Sequence, residues 1–200
     1  MSWTPFFERP DPVWQHEPRR WSRHGLDGLT LDVEPDTDYW QRTHYGFRRD
    51  NGHFLGVRFE GDVDLCTGVD TAPIAQYDQA GLMVRVSADC WLKTSIEFEG
   101  DRPSRLGAVV TNDGWSDWST QDVPAALTRV WLRIQRRGSD FTVAWRAHED
   151  APWSQLRIAR LGAAAGVGPV SIGPYACAPQ GPGFAARFFG LGLYDPSETG

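Results

Sequence analysis

The sequence predicts an all-β protein, a sandwich of two antiparallel sheets, and three observations carry that prediction. Short runs alternate apolar and polar residues with the two-residue period of half-buried strands, as in Leu82-Met83-Val84-Arg85-Val86 and Leu92-Lys93-Thr94-Ser95-Ile96. The 21 glycines and 14 prolines are spread along the chain and cut it into many short elements. No segment holds a helical period over three turns, and no repeat recurs at a fixed spacing. At 200 residues one sandwich accounts for the whole chain, residues 1–200, without a second domain.

The elements follow in order. Residues 1–28 set Pro5, Pro10, Pro12 and Pro18 among Trp3, Phe6, Phe7, Trp14 and Trp21, too proline-broken for a helix and too aromatic for a free tail, so this segment is expected to wrap over the sandwich. Leu29 to Val33 is a strand that Pro35 ends, because proline cannot donate to a sheet ladder. Tyr39 to Phe47 reads as a strand with Tyr39, Tyr45 and Phe47 on one face and Trp40 and His44 on the other. The Asp50-Asn51-Gly52 turn leads into His53 to Thr71, two strands or one bent at Gly61. After a hairpin over Tyr77 to Phe98, Leu106 to Thr111 ends at the turn Asn112-Asp113-Gly114 and Trp115 to Ser119 follows. Val130 to Arg137 and Phe141 to Arg146 flank the loop Gly138-Ser139-Asp140. Trp153 to Leu161, Val167 to Ile172 and Phe184 to Leu193 complete the strands, and 195–200 reads as a loose tail.

The Tyr77 to Phe98 hairpin is the most informative element. Leu82, Val84 and Val86 with Leu92, Thr94, Ile96 and Phe98 form an apolar face, while Arg85, Trp91, Lys93, Ser95 and Glu97 stand on a polar one. A three-residue loop at Ala88, Asp89 and Cys90 keeps partners on one face and sets Arg85 opposite Lys93 and Gly81 opposite Glu97; a two-residue loop would mix the faces. Arg85 beside Lys93 brings like charges together, which calls for an acid from a third strand or a bound anionic or hydroxyl-rich ligand. Gly81 beside Glu97 leaves open room. Lys93 and Glu97 stand about 13 Å apart by four strand rises, so they hold two ends of one ligand rather than pair directly. Lys93 is the single lysine among 20 lysines and arginines, which either an arginine-favouring genome or a need for a compact ammonium explains.

Composition excludes several classes of function. A net charge of −6 disfavours nonspecific nucleic-acid binding, which needs clustered Lys and Arg against phosphates. No stretch approaches about 18 uninterrupted apolar residues and MSWTPFFERPDPVW lacks a basic leader followed by an apolar run, so no membrane partner is expected and the cytosol is the expected location. Cys66, Cys90 and Cys177 are odd in number and far apart, which fits reduced thiols better than a disulfide framework or zinc site. His44 and His53, nine apart, match no metal spacing, and no G-x-S-x-G elbow or phosphate-binding glycine loop is present, so no metal or cofactor is expected.

The runs Thr37-Asp38-Tyr39-Trp40-Gln41-Arg42-Thr43-His44-Tyr45-Gly46-Phe47 and Tyr77-Asp78-Gln79-Ala80-Gly81-Leu82-Met83-Val84-Arg85, then Trp91-Leu92-Lys93, Ile96-Glu97 and Ser116-Asp117-Trp118-Ser119, resemble the "regulation of enolase" concanavalin A-like family, over roughly residues 14–194. That resemblance implies a concanavalin A-like jelly roll of the lectin and glucanase kind, with no defined activity for the family as a whole. The residues favour a binding domain for a small polar ligand such as a saccharide, held in a concave groove. Asp78, Gln79, Arg85, Lys93, Glu97 and His44 are the polar candidates, and Trp91 or Trp118 the stacking platform. A second reading is a glycoside hydrolase or lyase using Glu97, with Glu99 as a further candidate. Two residues apart on one strand, their Cα atoms are about 6.6 Å apart, compatible with the ~5 to 5.5 Å carboxyl separation of a retaining pair. Ser95 departs from that pattern where the glucanase likeness would place another acid. A third reading is a protein-interaction module acting on metabolic enzymes, as the family's name suggests.

Overall fold

A computed structural model describes residues 3–164 and 168–196. Its strands, in chain order, are β1 (Thr4–Pro5), β2 (Val13–Gln15), β3 (Trp21–His24), β4 (Gly28–Val33), β5 (Tyr39–Gln41), β6 (Arg48–Asp50), β7 (His53–Phe59), β8 (Val63–Ala72), β9 (Gln79–Ser87), β10 (Cys90–Glu97), β11 (Ser104–Asn112), β12 (Trp115–Val123), β13 (Arg129–Arg137), β14 (Asp140–Arg146), β15 (Ser154–Arg160), β16 (Val170–Cys177) and β17 (Phe184–Tyr194). The first sheet runs β15-β14-β13-β8-β17-β4-β3, with β1 also on β17, and the second runs β12-β11-β10-β9-β16-β7-β2. Their facing side chains, Leu31, Leu65, Leu132 and Phe188 against Leu82, Leu92, Leu106 and Ile172, fill one apolar core. Each such buried side chain contributes about 1.5–3 kcal/mol of transfer free energy, which conformational entropy largely offsets.

The aromatic, proline-broken N-terminus is drawn into the edges of both sheets. Phe6 is fully buried in the core, β2 pairs with β7 at the edge of the second sheet, and β3 pairs with β4 at the edge of the first. The last strand before the C-terminal one starts at Val170; of the expected strand over 167–172, residue 167 lies outside the described residues, as do residues 197–200 of the expected tail.

Two expectations about register and extent change. Residues 39–47 do not form one strand: β5 ends at Gln41, and Arg42 and His44 take positive φ (59° and 67°) before β6 returns antiparallel to β5. Left-handed backbone at non-glycine residues breaks a strand and leaves no trace in hydrophobic alternation. In the β9–β10 hairpin Cys90 pairs with Ser87 around a two-residue turn, and the register then slips so that Trp91 faces Arg85, Lys93 faces Met83, Ser95 faces Gly81 and Glu97 faces Gln79. The bulge inserts Val86 as an extra residue, which restores the face parity that an unbulged two-residue turn would invert. Gly81 therefore opens no room beside Glu97; a Cβ there would overlap the Thr94 carbonyl oxygen, so the glycine serves close backbone approach.

The polar face of the hairpin is largely covered, except where a cavity opens over Gln79, Lys93 and Glu97. The β5–β6 hairpin folds over it and makes a second apolar cluster of Tyr39, Phe54, Met83, Trp91, Val109, Tyr175 and Cys177. Arg85 fastens this cover: its two terminal nitrogens donate to the two carboxylate oxygens of Asp50, each at 2.7 Å, and its guanidinium lies 5.7 Å from the Tyr39 ring centroid. Ser116 Oγ accepts from the Gln41 amide at 2.9 Å and ties the same cover to β12. The acid that Arg85 requires thus comes from β6, and Arg85 and Lys93 are not cross-strand partners. Arg85→Ala is expected to cost about 2 kcal/mol, because a bidentate, mostly buried carboxylate loses its partner. The loss should appear in urea unfolding and as faster amide exchange over residues 39–50; unchanged exchange there would contradict this role.

Candidate functional site

Between the outer face of the second sheet, the β5–β6 hairpin and the loops preceding β9 and following β16 lies an open cavity of about 420 Å³. Small-molecule sites commonly run from about 300 to 1,000 Å³, lined mainly by aromatic and apolar groups with a few placed polar ones. Here the walls are Trp40, Tyr45, Phe47, Tyr77 and Trp118. Trp40 stands edge-on to Trp118 (centroids 6.4 Å, 82°) and tilted against Tyr45 (6.0 Å). The turn from Arg42 to Gly46 swings Tyr45 and Phe47 to the mouth, where they are exposed, whereas Tyr39 of the same segment is fully buried.

The floor is a hydrogen-bonded polar row. Lys93 Nζ donates to Gln79 Oε1 at 2.8 Å, and Gln79 Nε2 donates to Glu97 Oε2 at 2.8 Å. Tyr175 Oη donates to the same Gln79 oxygen at 3.1 Å, and Gln79 Nε2 also reaches the Tyr77 carbonyl oxygen at 3.2 Å. These contacts fix which way the Gln79 amide points, since its oxygen meets two donors and its nitrogen two acceptors. The Lys93 side chain is 4% exposed; its charge is met by Asp38 Oδ1 at 3.7 Å and by the rings of Trp91 (5.8 Å) and Tyr175 (5.4 Å). Asp38 is itself positioned by the Tyr39 amide, which donates to Oδ1 at 2.7 Å. Lys93 and Glu97 stay apart, bridged by Gln79.

Burial pushes the Glu97 carboxyl up to about 8; Lys93 pulls it down, while Asp38 and Glu99 push it further up. At neutral pH Glu97 is therefore a neutral acid that both donates and accepts. With Lys93 matched by Asp38, the floor is close to uncharged overall. Burial also raises the Tyr175 phenol, which keeps it a donor.

Of the residues singled out from sequence, Gln79, Lys93, Glu97 and Trp118 line the cavity. Asp78 is turned away, its carboxylate capping the amides of Ile74 and Ala75 at 2.8 and 2.9 Å. Trp91 is fully buried beneath Lys93, its indole N–H donating to the Ala88 carbonyl at 3.2 Å, so it is a support and not an exposed platform. Glu99 lies past the end of β10 and accepts from Gln76 Nε2 at 2.7 Å, so the pair Glu97 and Glu99 does not share the cavity. His44 is exposed against Tyr45, 4.4 Å between centroids, outside the lining. Asp38, Trp40, Tyr45, Phe47 and Tyr77 line the site without having been singled out as site residues. For all but Tyr77 the signal was present, since Asp38 to Phe47 is rich in aromatics, yet a strand reading scattered it over two faces.

These features define an antiparallel two-sheet sandwich of the jelly-roll kind with a ligand-sized cavity on its second sheet. The chain belongs to the family described as "Protein of unknown function (DUF1349)", whose model matches residues 14–194. It is 34% identical over 172 residues to "Regulation of enolase protein 1" of Saccharomyces cerevisiae, covering 84% of this chain and 82% of that one. A crystal structure of a functionally unknown protein from Saccharomyces cerevisiae superposes with a TM-score of 0.84 at 31% identity, over 92% of this chain and 96% of that one. More distant likenesses are of fold. The carbohydrate binding module CBM66 from Bacillus subtilis superposes with a TM-score of 0.56 at 10% identity, over 91% of this chain and 95% of that one. The GH43 BlXynB protein from Bacillus licheniformis gives 0.65 at 17% identity, over 93% of this chain but 37% of that one.

Proposed function

We propose that this chain is a binding domain for an uncharged polar small molecule, a saccharide, seated in the cavity over Lys93, Gln79 and Glu97. The observation that supports it is the combination of aromatic walls with a mutually oriented row of a buried ammonium, a buried amide and a half-buried carboxylic acid. Sugar rings bury their C–H faces on Trp40 or Trp118, while their hydroxyls need adjacent donors and acceptors in fixed positions, since unmatched buried polar groups are costly. The likeness in fold to a carbohydrate binding module is consistent with this reading. Glycan arrays followed by calorimetry test it. Trp118, 36% exposed at the wall, is expected to lose about tenfold in affinity on Trp118→Ala with little change in stability. Absence of binding to any neutral mono- or oligosaccharide would sink the reading.

One observation favours a second reading, hydrolysis: a carboxyl that titrates near pH 8 is still an acid at neutral pH, as a glycosidase general acid must be. The other carboxylate in the cavity is Asp38, in place of Glu99. Turnover on a polysaccharide panel that vanishes in Glu97→Gln would establish it. The name of the yeast relative points to a protein partner instead; capture of a metabolic enzyme that is indifferent to Lys93 and Trp118 variants would favour that route.

A further inference from the structure

The outer face of the first sheet, on the opposite side of the sandwich from the cavity, carries an unmatched pair of arginines. Arg133 stands on β13 between Cys66 of β8 and Ala144 of β14. Arg146 is its diagonal neighbour on β14, since Arg146 pairs with Trp131; such diagonal positions lie about 7–8 Å apart. Both guanidiniums stack on Trp153, each 4.5 Å from its ring centroid. Their neighbours on the same face are matched. Arg137 and Gln135 take the Asp64 carboxylate at 2.7 and 2.6 Å, and Arg129 takes that of Asp70. Arg133 and Arg146 make no ion pair or hydrogen bond with any described residue, and the Nε of each is buried without an acceptor. Glu149, exposed on the loop after β14, pairs with neither.

Two guanidiniums that share one indole, partly stripped of water, repel each other, and the planar indole carries no charge to offset this. Burial pulls the Arg133 guanidinium down from the usual arginine range; Asp64 and Cys66 oppose that, and Arg146 and Arg137 add to it. An oxyanion relieves the repulsion and supplies acceptors in the fork geometry that arginine presents. We propose that Arg133 and Arg146, on the Trp153 platform, form a site for a phosphoryl group, whose two negative charges match the two cations. The site is independent of the saccharide reading, because it lies on the other sheet and shares no residue with the cavity.

Calorimetric titration with inorganic phosphate and, in parallel, with phenyl phosphate, at ionic strength held constant with chloride, tests the proposal on the full chain. Saturable binding is expected for the wild type, weakened at least tenfold by Arg133→Gln and by Arg146→Gln, partly retained by Arg133→Lys and unchanged by Trp118→Ala. Tighter binding of phenyl phosphate than of inorganic phosphate would assign a phosphorylated small molecule as the ligand, and equal binding the free anion. Saccharide binding should survive both arginine substitutions, so failure of one site is distinguishable from failure of the other. No saturable heat with either phosphate, or heat undiminished in both Gln variants, overturns it.

Discussion

Glu97→Gln is expected to flatten the pH dependence of stability and to leave the variant more stable than the wild type at pH 9. The folded-state carboxyl titrates near 8, well above its ordinary value of 4.5. Between those values the folded chain holds a proton that the unfolded chain has released, so wild-type stability falls as pH rises from about 4.5 through 8 and is level beyond. At about 1.4 kcal/mol for each tenfold change, this removes on the order of 5 kcal/mol. A glutamine occupies the same volume, accepts from Gln79 Nε2 as the acid does, and does not titrate. Urea unfolding at pH 5, 7 and 9 measures the difference between the two proteins, in which titrations elsewhere cancel. Parallel profiles would show that Glu97 is not held protonated. The same variant separates the two readings of the cavity, because an amide retains a donor and an acceptor for a bound sugar but cannot protonate a leaving group.

Lys93→Met is expected to abolish ligand binding, by a hundredfold or more, and to cost about 3 kcal/mol of stability. Methionine nearly fills the volume, so the loss is electrostatic: the Asp38 carboxylate and the Gln79 oxygen are left facing an apolar group, and breaking a buried pair from one side costs about 3–5 kcal/mol. Adding Asp38→Asn should recover part of the stability and none of the binding, a split that a purely structural lysine would not produce. Lys93→Arg should bind poorly too, since a planar fork does not fit where a compact ammonium sits between the Trp91 and Tyr175 rings. Wild-type affinity in Lys93→Met would remove Lys93 from the site.

Much of the second sheet was legible because strand alternation is a local property. The apolar set Leu82, Val84, Leu92 and Ile96 faces the core, and Lys93, Ser95 and Glu97 face the other way, as alternation requires. The bulge at Val86 was not legible, since inserting one residue alongside a two-residue turn yields the same parity as a three-residue loop. The expected like-charge pairing of Arg85 with Lys93 is removed by the bulge, and the acid that Arg85 does meet, Asp50 on β6, 35 residues earlier, depends on how a separate hairpin folds back. Arg42 and His44 in left-handed backbone hid the turn that carries Tyr45 and Phe47 to the cavity, because arginine does not favour that conformation and histidine adopts it too seldom to mark a turn.

The two-residue period is enough to predict the sandwich and the two-faced hairpin, and it puts Lys93 and Glu97 on one face; of the polar candidates named from sequence, the structure brings Gln79, Lys93 and Glu97 together at the cavity floor. The packing of distant segments sets the rest: the β5–β6 hairpin covers part of this face and brings Trp40, Tyr45 and Phe47 to the cavity with the adjacent Asp38; Tyr77 and Trp118 arrive from the loop before β9 and from β12; and Arg85, Asp78 and Trp91 support the fold around the cavity without lining it. Alternation specifies which side of a sheet a residue occupies, whereas burial, charge pairing and proton affinity depend on what a distant segment lays over that side.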